Sequence, residues 1–320
     1  SHNSTFPRMS PRLPSGILAA GLTPFHADLS LAHDACAAHT QWLLNHGCDA
    51  VLLFGTTGEG LSLSVPERLA GLDAVLSADI PARRVLVGTG ASALPDAVEL
   101  TRTATQDGVG GVLVLPPAHF RQVSPEGLFR FYDRLIQAVG DPDLRLYFYH
   151  YPALSGVPIP FSVIEELRGT YPDQIAGIKD SSGEWDHTEA LCHHFPDLQV
   201  FSGTERLLLQ VLGAGGAGCI SATANVTAAL AAQVLQRWRA DEAPESIQDT
   251  LSAFRGAFAP LPTIPALKFL LSRRLEAPDW ATVRPPLAPL ADAEKETVGE
   301  IADRLEDEEV RLPGPNAQPT

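Results

Sequence analysis

Lys179 stands at the centre of AGIKDSSG (176–183) and is one of three lysines in the chain, with Lys268 and Lys295. Lysine and arginine together number 23, so arginine carries nearly all the positive charge. A guanidinium stays protonated, whereas an ε-amine can lose its proton and attack a carbonyl. A lysine at the end of an apolar run therefore points to amine chemistry. The competing reading is a chance lysine in a strand-to-helix loop. A second group is Gly55-Thr56-Thr57-Gly58-Glu59-Gly60. Its glycines let backbone approach a ligand, and two adjacent hydroxyls with their amides can hold a carboxylate. The segment has no GK[ST] and is not a nucleotide-phosphate loop. A plain Gly/Thr turn capped by its own hydroxyls is the alternative. A third group is Tyr147, Tyr149 and Tyr151, alternating with Leu146, Phe148 and His150. Period-two alternation puts the three phenols on one face of a strand. One near the strand end can point into a cavity, while Tyr147 reads as aromatic packing.

The elements that must carry these groups recur along the chain. Apolar β-rich runs lie at 17–22, 50–55, 84–90, 111–117, 144–151, 175–180, 198–203 and 217–222. Helix-period segments separate them. DACAAHTQWLLNHG (34–47) ends in a glycine suited to the C′ position. The segment 64–78 opens with a Ser64–Glu67 capping box, and 124–140 opens with Ser124 as N-cap and Pro125 at N1. TAALAAQVLQRWRA (227–240) supplies the eighth helix. Eight strands alternating with eight helices predict an α/β fold, a (β/α)₈ TIM barrel. A doubly wound sheet is the rival, but AAGLTPF after the first strand is not a GxGxxG fingerprint. The chain divides into an N-terminal segment (1–14), a barrel (15–240), a C-terminal helical region (241–310) and a tail (311–320). Two or three helices of the C-terminal region are expected to pack outside the barrel.

Composition narrows the partners. The 320 residues are 45% hydrophobic, enough for a large core, and the net charge of −15 argues against nucleic acid or an anionic membrane as partner. Cys36, Cys48, Cys192 and Cys219 form no CxxC pair and read as reduced, buried thiols of a cytoplasmic protein. No apolar run reaches transmembrane length. The single methionine, Met9, suggests a native start there, with residues 1–8 appended; the tail LPGPNAQPT is polar, Pro-rich and expected to fray. His193 and His194 follow a helix and read as solvated surface, so no metal site is expected.

Five segments stand in order: GTTGEG (55–60), YHYPALSG (149–156), GIKDSSG (177–183), GGAGCISATANV (215–226) and RPPLAPL (284–290). Together they resemble the dihydrodipicolinate synthase / N-acetylneuraminate lyase family, from about TPF (23–25) to about residue 305. The resemblance implies a (β/α)₈ barrel with a C-terminal helical extension, usually a homotetramer. It also implies a lysine that forms a Schiff base with pyruvate or a related 2-oxo acid, with no metal or organic cofactor. Lys179 is similar to that lysine. Tyr149, first residue of Tyr-x-x-Pro, resembles the phenol that moves protons at the imine. Thr56 and Thr57 resemble the clamp on the pyruvate carboxylate, and Ile220 the residue whose backbone carbonyl faces bound pyruvate. The second partner implied is an aldehyde.

The chain also departs from the family pattern. Leu154 stands where the synthase branch has an arginine for its aldehyde's carboxylate, which argues against aspartate semialdehyde and favours a less charged acceptor. Glu205-Arg206 stand where the sialic-acid branch has an acidic pair. Phe120, preceded by His119, aligns with a tyrosine that neighbouring subunits contribute. Leu154, Glu205, Arg206, Phe120 and His119 are thus the candidate second-substrate pocket. The expected activity is a Schiff-base-forming aldolase. The alternatives are a sugar-acid dehydratase or deaminase using the same imine, and a non-catalytic 2-oxo-acid-binding homologue.

Overall fold

The computed structural model describes residues 13–312. The expectations for a start at Met9 and for a fraying tail fall on 1–12 and 313–320 and lie outside the described residues.

Eight parallel strands close into a barrel in sequence order. They are β1 (Gly16–Ala20), β2 (Ala50–Leu53), β3 (Val85–Gly88), β4 (Gly111–Val114), β5 (Leu146–His150), β6 (Ile175–Asp180), β7 (Gln199–Ser202) and β8 (Gly218–Ser221), with β8 pairing back onto β1. Each strand is short and apolar because both of its faces are covered. Leu18, Leu52, Leu86, Leu113, Tyr147, Phe201 and Ile220 fill the barrel interior. Their neighbours Ala19, Val51, Val85, Val112, Leu146, Phe148 and Val200 face the helix layer. The alternation read in the sequence at 146–151 is thus the inside and outside of the barrel, and the other strands repeat it.

The helices follow as α1 (His33–Asn45), α2 (Val65–Leu76), α3 (Leu94–Gln106), α4 (Pro125–Val139), a short α5 (Pro152–Ser155), α6 (Phe161–Thr170), α7 (Trp185–His194), α8 (Leu208–Gly213) and α9 (Ala224–Arg239). The expected caps are present. Ser64 and Glu67 form a reciprocal capping box on α2, and Ser124 accepts from the Gly127 amide at the start of α4. The eighth helix starts at Ala224 rather than 227, because the chain turns into α9 directly after β8. Asn225 in that turn accepts from the Leu22 amide and donates to Ala20 and Ala222 carbonyls. It thereby ties the ends of β1 and β8 together.

Beyond α9 come α10 (Glu245–Phe258), α11 (Thr263–Arg274) and α12 (Asp292–Val310). They share an apolar cluster with α9 and with Ile17, Leu22 and Cys219. The extension does more than pack outside the barrel, because α10 and the start of α11 also reach its mouth. No described helix is long and apolar enough to cross a membrane.

Candidate active site

A one-residue irregularity in β6 aims Lys179. Leu146 pairs with Ile175, but the next residue, Tyr147, pairs with Gly177, leaving Ala176 as an extra residue. Ile175 faces the helices, and strict alternation from it would turn Lys179 outward too. The extra residue inverts the parity beyond it. Ile178 then faces the helices, while Lys179 pairs with the inward Tyr149. Gly177 is required at the irregularity, since a Cβ there would lie 2.0 Å from the Gln199 carbonyl oxygen. The lysine side chain is buried at the barrel's C-terminal end, the end where this fold gathers its chemistry.

Tyr149 and Thr56 complete a line of polar groups. Lys179 Nζ is 3.5 Å from Tyr149 Oη and 4.5 Å from the ring centroid. Tyr149 Oη is 3.3 Å from Thr56 Oγ1. The Thr56 and Thr57 amides donate to no group among the described residues, so both amides are available to a ligand, beside the Thr57 hydroxyl and the Thr56 hydroxyl that Tyr149 shares. The loop that holds them is tightly wound. Phe54 and Glu59 are left-handed (φ 57° and 54°), and a Cβ on Gly60 would lie 2.0 Å from the Phe54 carbonyl oxygen. Left-handed backbone is unfavourable for residues with a Cβ, and here buried contacts hold it. Glu59 takes Lys268 Nζ of α11 at 2.5 Å and the Arg284 amide at 2.9 Å. Lys268 also donates to the Thr282 carbonyl at 2.7 Å. The two Thr side chains are therefore positioned by the C-terminal extension.

These groups open onto a cavity of about 270 Å³. Its lining includes Thr56, Thr57, Tyr149, Tyr151 and Lys179, the hydroxyls of Ser181, Thr204 and Thr263, and Arg255 of α10. Burial raises the Tyr151 phenol above its ordinary pKa, with Tyr149 adding to the effect. Arg255 was missed in the sequence, although a signal exists. Leu251, Phe254 and Phe258 form the buried stripe of α10, and Arg255 falls beside it at helical spacing. A charge against an apolar stripe has a reason to be there.

The five residues expected to form the second-substrate pocket are not lining residues of this cavity. Glu205 is fully buried beside it, in a cage of hydroxyls from Ser221, Thr223 and Thr227. A buried carboxylate needs such donors, which turns it away from the open space. Arg206 is exposed and lies over Gly256 of α10. His119, Phe120 and Leu154 are exposed on short segments that follow β4 and β5. Ile220 sits in β8 with its side chain in the barrel interior.

Tyr147 is buried low in the barrel and donates to Gln199, as its packing reading implied. His193 and His194 are exposed. Elsewhere His150, Asp180 and His187 bring potential metal-donor atoms together. Both Asp180 oxygens and the Nδ1 atoms of the two histidines are already engaged. His150 Nδ1 accepts from the Ile159 amide at 3.1 Å, and its ring stacks on His187 at 4.3 Å. Asp180 accepts from His187, Thr188 and the Ser182 amide at 2.6–3.0 Å. Burial pushes the Asp180 carboxyl up, but these hydrogen bonds outweigh it and hold the group below its ordinary value. The trio fixes the turn after Lys179 from the helix side.

Comparison with known proteins agrees with this architecture. The family model described as the dihydrodipicolinate synthetase family matches residues 13–305. An uncharacterized DapA-like lyase of Chloroflexus aurantiacus is 35% identical over 293 residues, covering 91% of this chain and 97% of the relative. Dihydrodipicolinate synthase from Agrobacterium tumefaciens superposes with a TM-score of 0.82 at 32% identity, covering 91% of this chain and 99% of that one. YagE of E. coli, a prophage protein of the dihydrodipicolinic acid synthase family solved with pyruvate, gives 0.82 at 26% identity, covering 91% and 98%. The chain belongs to the dihydrodipicolinate synthetase family, a family of lyases.

Proposed function

We propose that the protein is a class I aldolase that joins or releases pyruvate, or a closely related 2-oxo acid, through an imine on Lys179. The observation that carries this reading is the line Thr56–Tyr149–Lys179 at the edge of the cavity. A buried amine beside a phenol is the pair that imine formation needs. The amine adds to the C2 carbonyl, Tyr149 returns a proton to the departing hydroxyl, and water leaves. The Thr56 and Thr57 hydroxyls and amides hold the C1 carboxylate and fix its orientation. The family resemblance adds the Ile220 backbone carbonyl, at the end of β8, as a further group facing the bound acid.

In the cleavage direction Tyr149 accepts the C4 hydroxyl proton. The C3–C4 bond breaks, the aldehyde leaves, and the bonding pair passes through C3 and C2 to the iminium nitrogen. The enamine takes a proton at C3, and water then releases pyruvate and the free amine. The imine is the electron sink, so neither a metal nor an organic cofactor has a step to perform. Cytoplasmic residence and a homotetramer complete the proposal. The exposed Phe120 and Leu154 suit an apolar contact with a second copy.

Pyruvate alone tests this reading. In D₂O the enzyme should exchange the pyruvate methyl protons, followed by NMR, because the enamine exposes C3 to solvent. An intact methyl signal after long incubation would contradict it.

A further inference from the structure

We infer that the second substrate ends in a carboxylate and that Arg255 of the C-terminal extension binds it. The inference rests on the aldolase reading above and names the substrate class for the same cavity.

Two cations line the cavity, Lys179 and Arg255, and no Asp or Glu is among the described residues that line it. In a chain of net charge −15 this is a local field of the opposite sign. The 2-oxo acid's own carboxylate is accounted for by Thr56 and Thr57, and Lys179 is consumed by the imine. Arg255 is then a positive charge that the first substrate does not use.

The guanidinium is placed but not saturated. Nη1 lies 3.2 Å from Thr223 Oγ1 and 3.4 Å from Ser221 Oγ. Its nearest carboxylate oxygen, on Glu205, is 3.9 Å away, too far for a hydrogen bond. Ser221 and Thr223 donate to Glu205 instead. Glu205 thus holds the guanidinium in place through two hydroxyls without occupying its fork. Nε and Nη2 donate to no group among the described residues, and the side chain is 28% exposed. A planar fork with free N–H groups matches a carboxylate bidentately. A phosphate would call for further cations, and the cavity provides none beyond these two. The surrounding hydroxyls of Ser181, Thr204 and Thr263 suit a polar chain between the reacting carbon and that carboxylate. Leu154 therefore does not leave the cavity without a cation. The arginine comes from a different element.

The test is retro-aldol cleavage of 4-hydroxy-2-oxo acids of matched length that end in a carboxylate, a phosphate or a neutral hydroxymethyl group. The wild-type protein should prefer the carboxylate. Arg255→Gln should lower kcat/KM for it by about 30-fold or more, chiefly through KM, while the neutral substrate falls far less. Arg255→Lys keeps the charge, loses the fork and should lie between the two. Equal losses on the carboxylate and neutral substrates would overturn the inference, as would a wild-type preference for the phosphate or the neutral end. Methyl exchange of pyruvate by the wild-type protein separates the two levels. Exchange without a carboxylate preference sinks the inference alone, and no exchange sinks the lysine reading with it.

Discussion

Replacing Lys179 with arginine keeps a positive charge in a buried place and removes the amine that can attack a carbonyl. We expect Lys179→Arg to fold, with an unchanged circular-dichroism spectrum, and to exchange no pyruvate methyl protons. Tyr149→Phe removes one oxygen, the one within 3.5 Å of both Lys179 Nζ and Thr56 Oγ1. Exchange should slow by roughly 10²-fold or more, the usual scale for a positioned acid–base group. Pyruvate affinity should change much less, because the Thr56–Thr57 loop is untouched. Near-wild-type exchange in that variant would assign the proton to another group. These residues were legible in the sequence for a chemical reason. A lysine in a chain that writes arginine, and a phenol alternating toward a strand end, are conspicuous by type. Arg255 was not, because one arginine among many carries no compositional signal, and only helical spacing in α10 marks it.

The elements were legible where periodicity and caps define them. Ser64, Ser124 and Gly47 mark helix ends because each satisfies a local backbone need. The irregularity in β6 was hidden. Alternation counted from Ile175 points Lys179 the wrong way, and the inversion depends on pairing with β5, which a single segment does not contain. Gly177→Ala should therefore be costly. Its methyl would meet the Gln199 carbonyl oxygen, so β6 must shift, at roughly 3 kcal/mol or more. A urea titration would measure that loss, and an unchanged midpoint with full activity would contradict the account of β6. The same limit hid Glu59 and Lys268, which are 209 residues apart in the chain. Lys268→Met leaves the Glu59 carboxylate buried without its cation. Breaking such a pair costs about 3–5 kcal/mol, and the surviving folded enzyme should show a raised KM for its 2-oxo acid. Lys268→Met with Glu59→Gln should recover part of the stability.

At the scale of the whole molecule, His39 links α1 to the turn that closes the barrel. It is buried, and its Nε2 lies 2.9 Å from Asn225 Oδ1. Burial outweighs that hydrogen bond and lowers its pKa to about 4. His150 is lowered to about 4 as well, by burial first and then by His187. A depressed histidine stays neutral in the folded chain while the unfolded chain takes up a proton from about pH 6.5 downward. Stability from His39 is thus fully present above about pH 6.5 and lost as pH falls toward 4. The loss is of the order of 3 kcal/mol for this group. His187, raised by its bond to Asp180, acts in the opposite sense around its own titration. Thermal melts between pH 7 and 4.5 should show the decline, and His39→Gln should make it shallower, leaving the share that His150 contributes. A melting temperature independent of pH over that range would contradict this placement of His39. The extension follows the same lesson as the site. Its helices were read from periodicity, but Lys268 and Arg255 reach the site only through tertiary contacts.

The central claim is an imine on Lys179, and reductive trapping tests it most directly. The protein is incubated with pyruvate and borohydride, digested, and each of Lys179, Lys268 and Lys295 is examined by mass spectrometry. The account predicts a 1-carboxyethyl group on Lys179 together with loss of activity. Label confined to Lys268 or Lys295, or no label on any lysine, would contradict it.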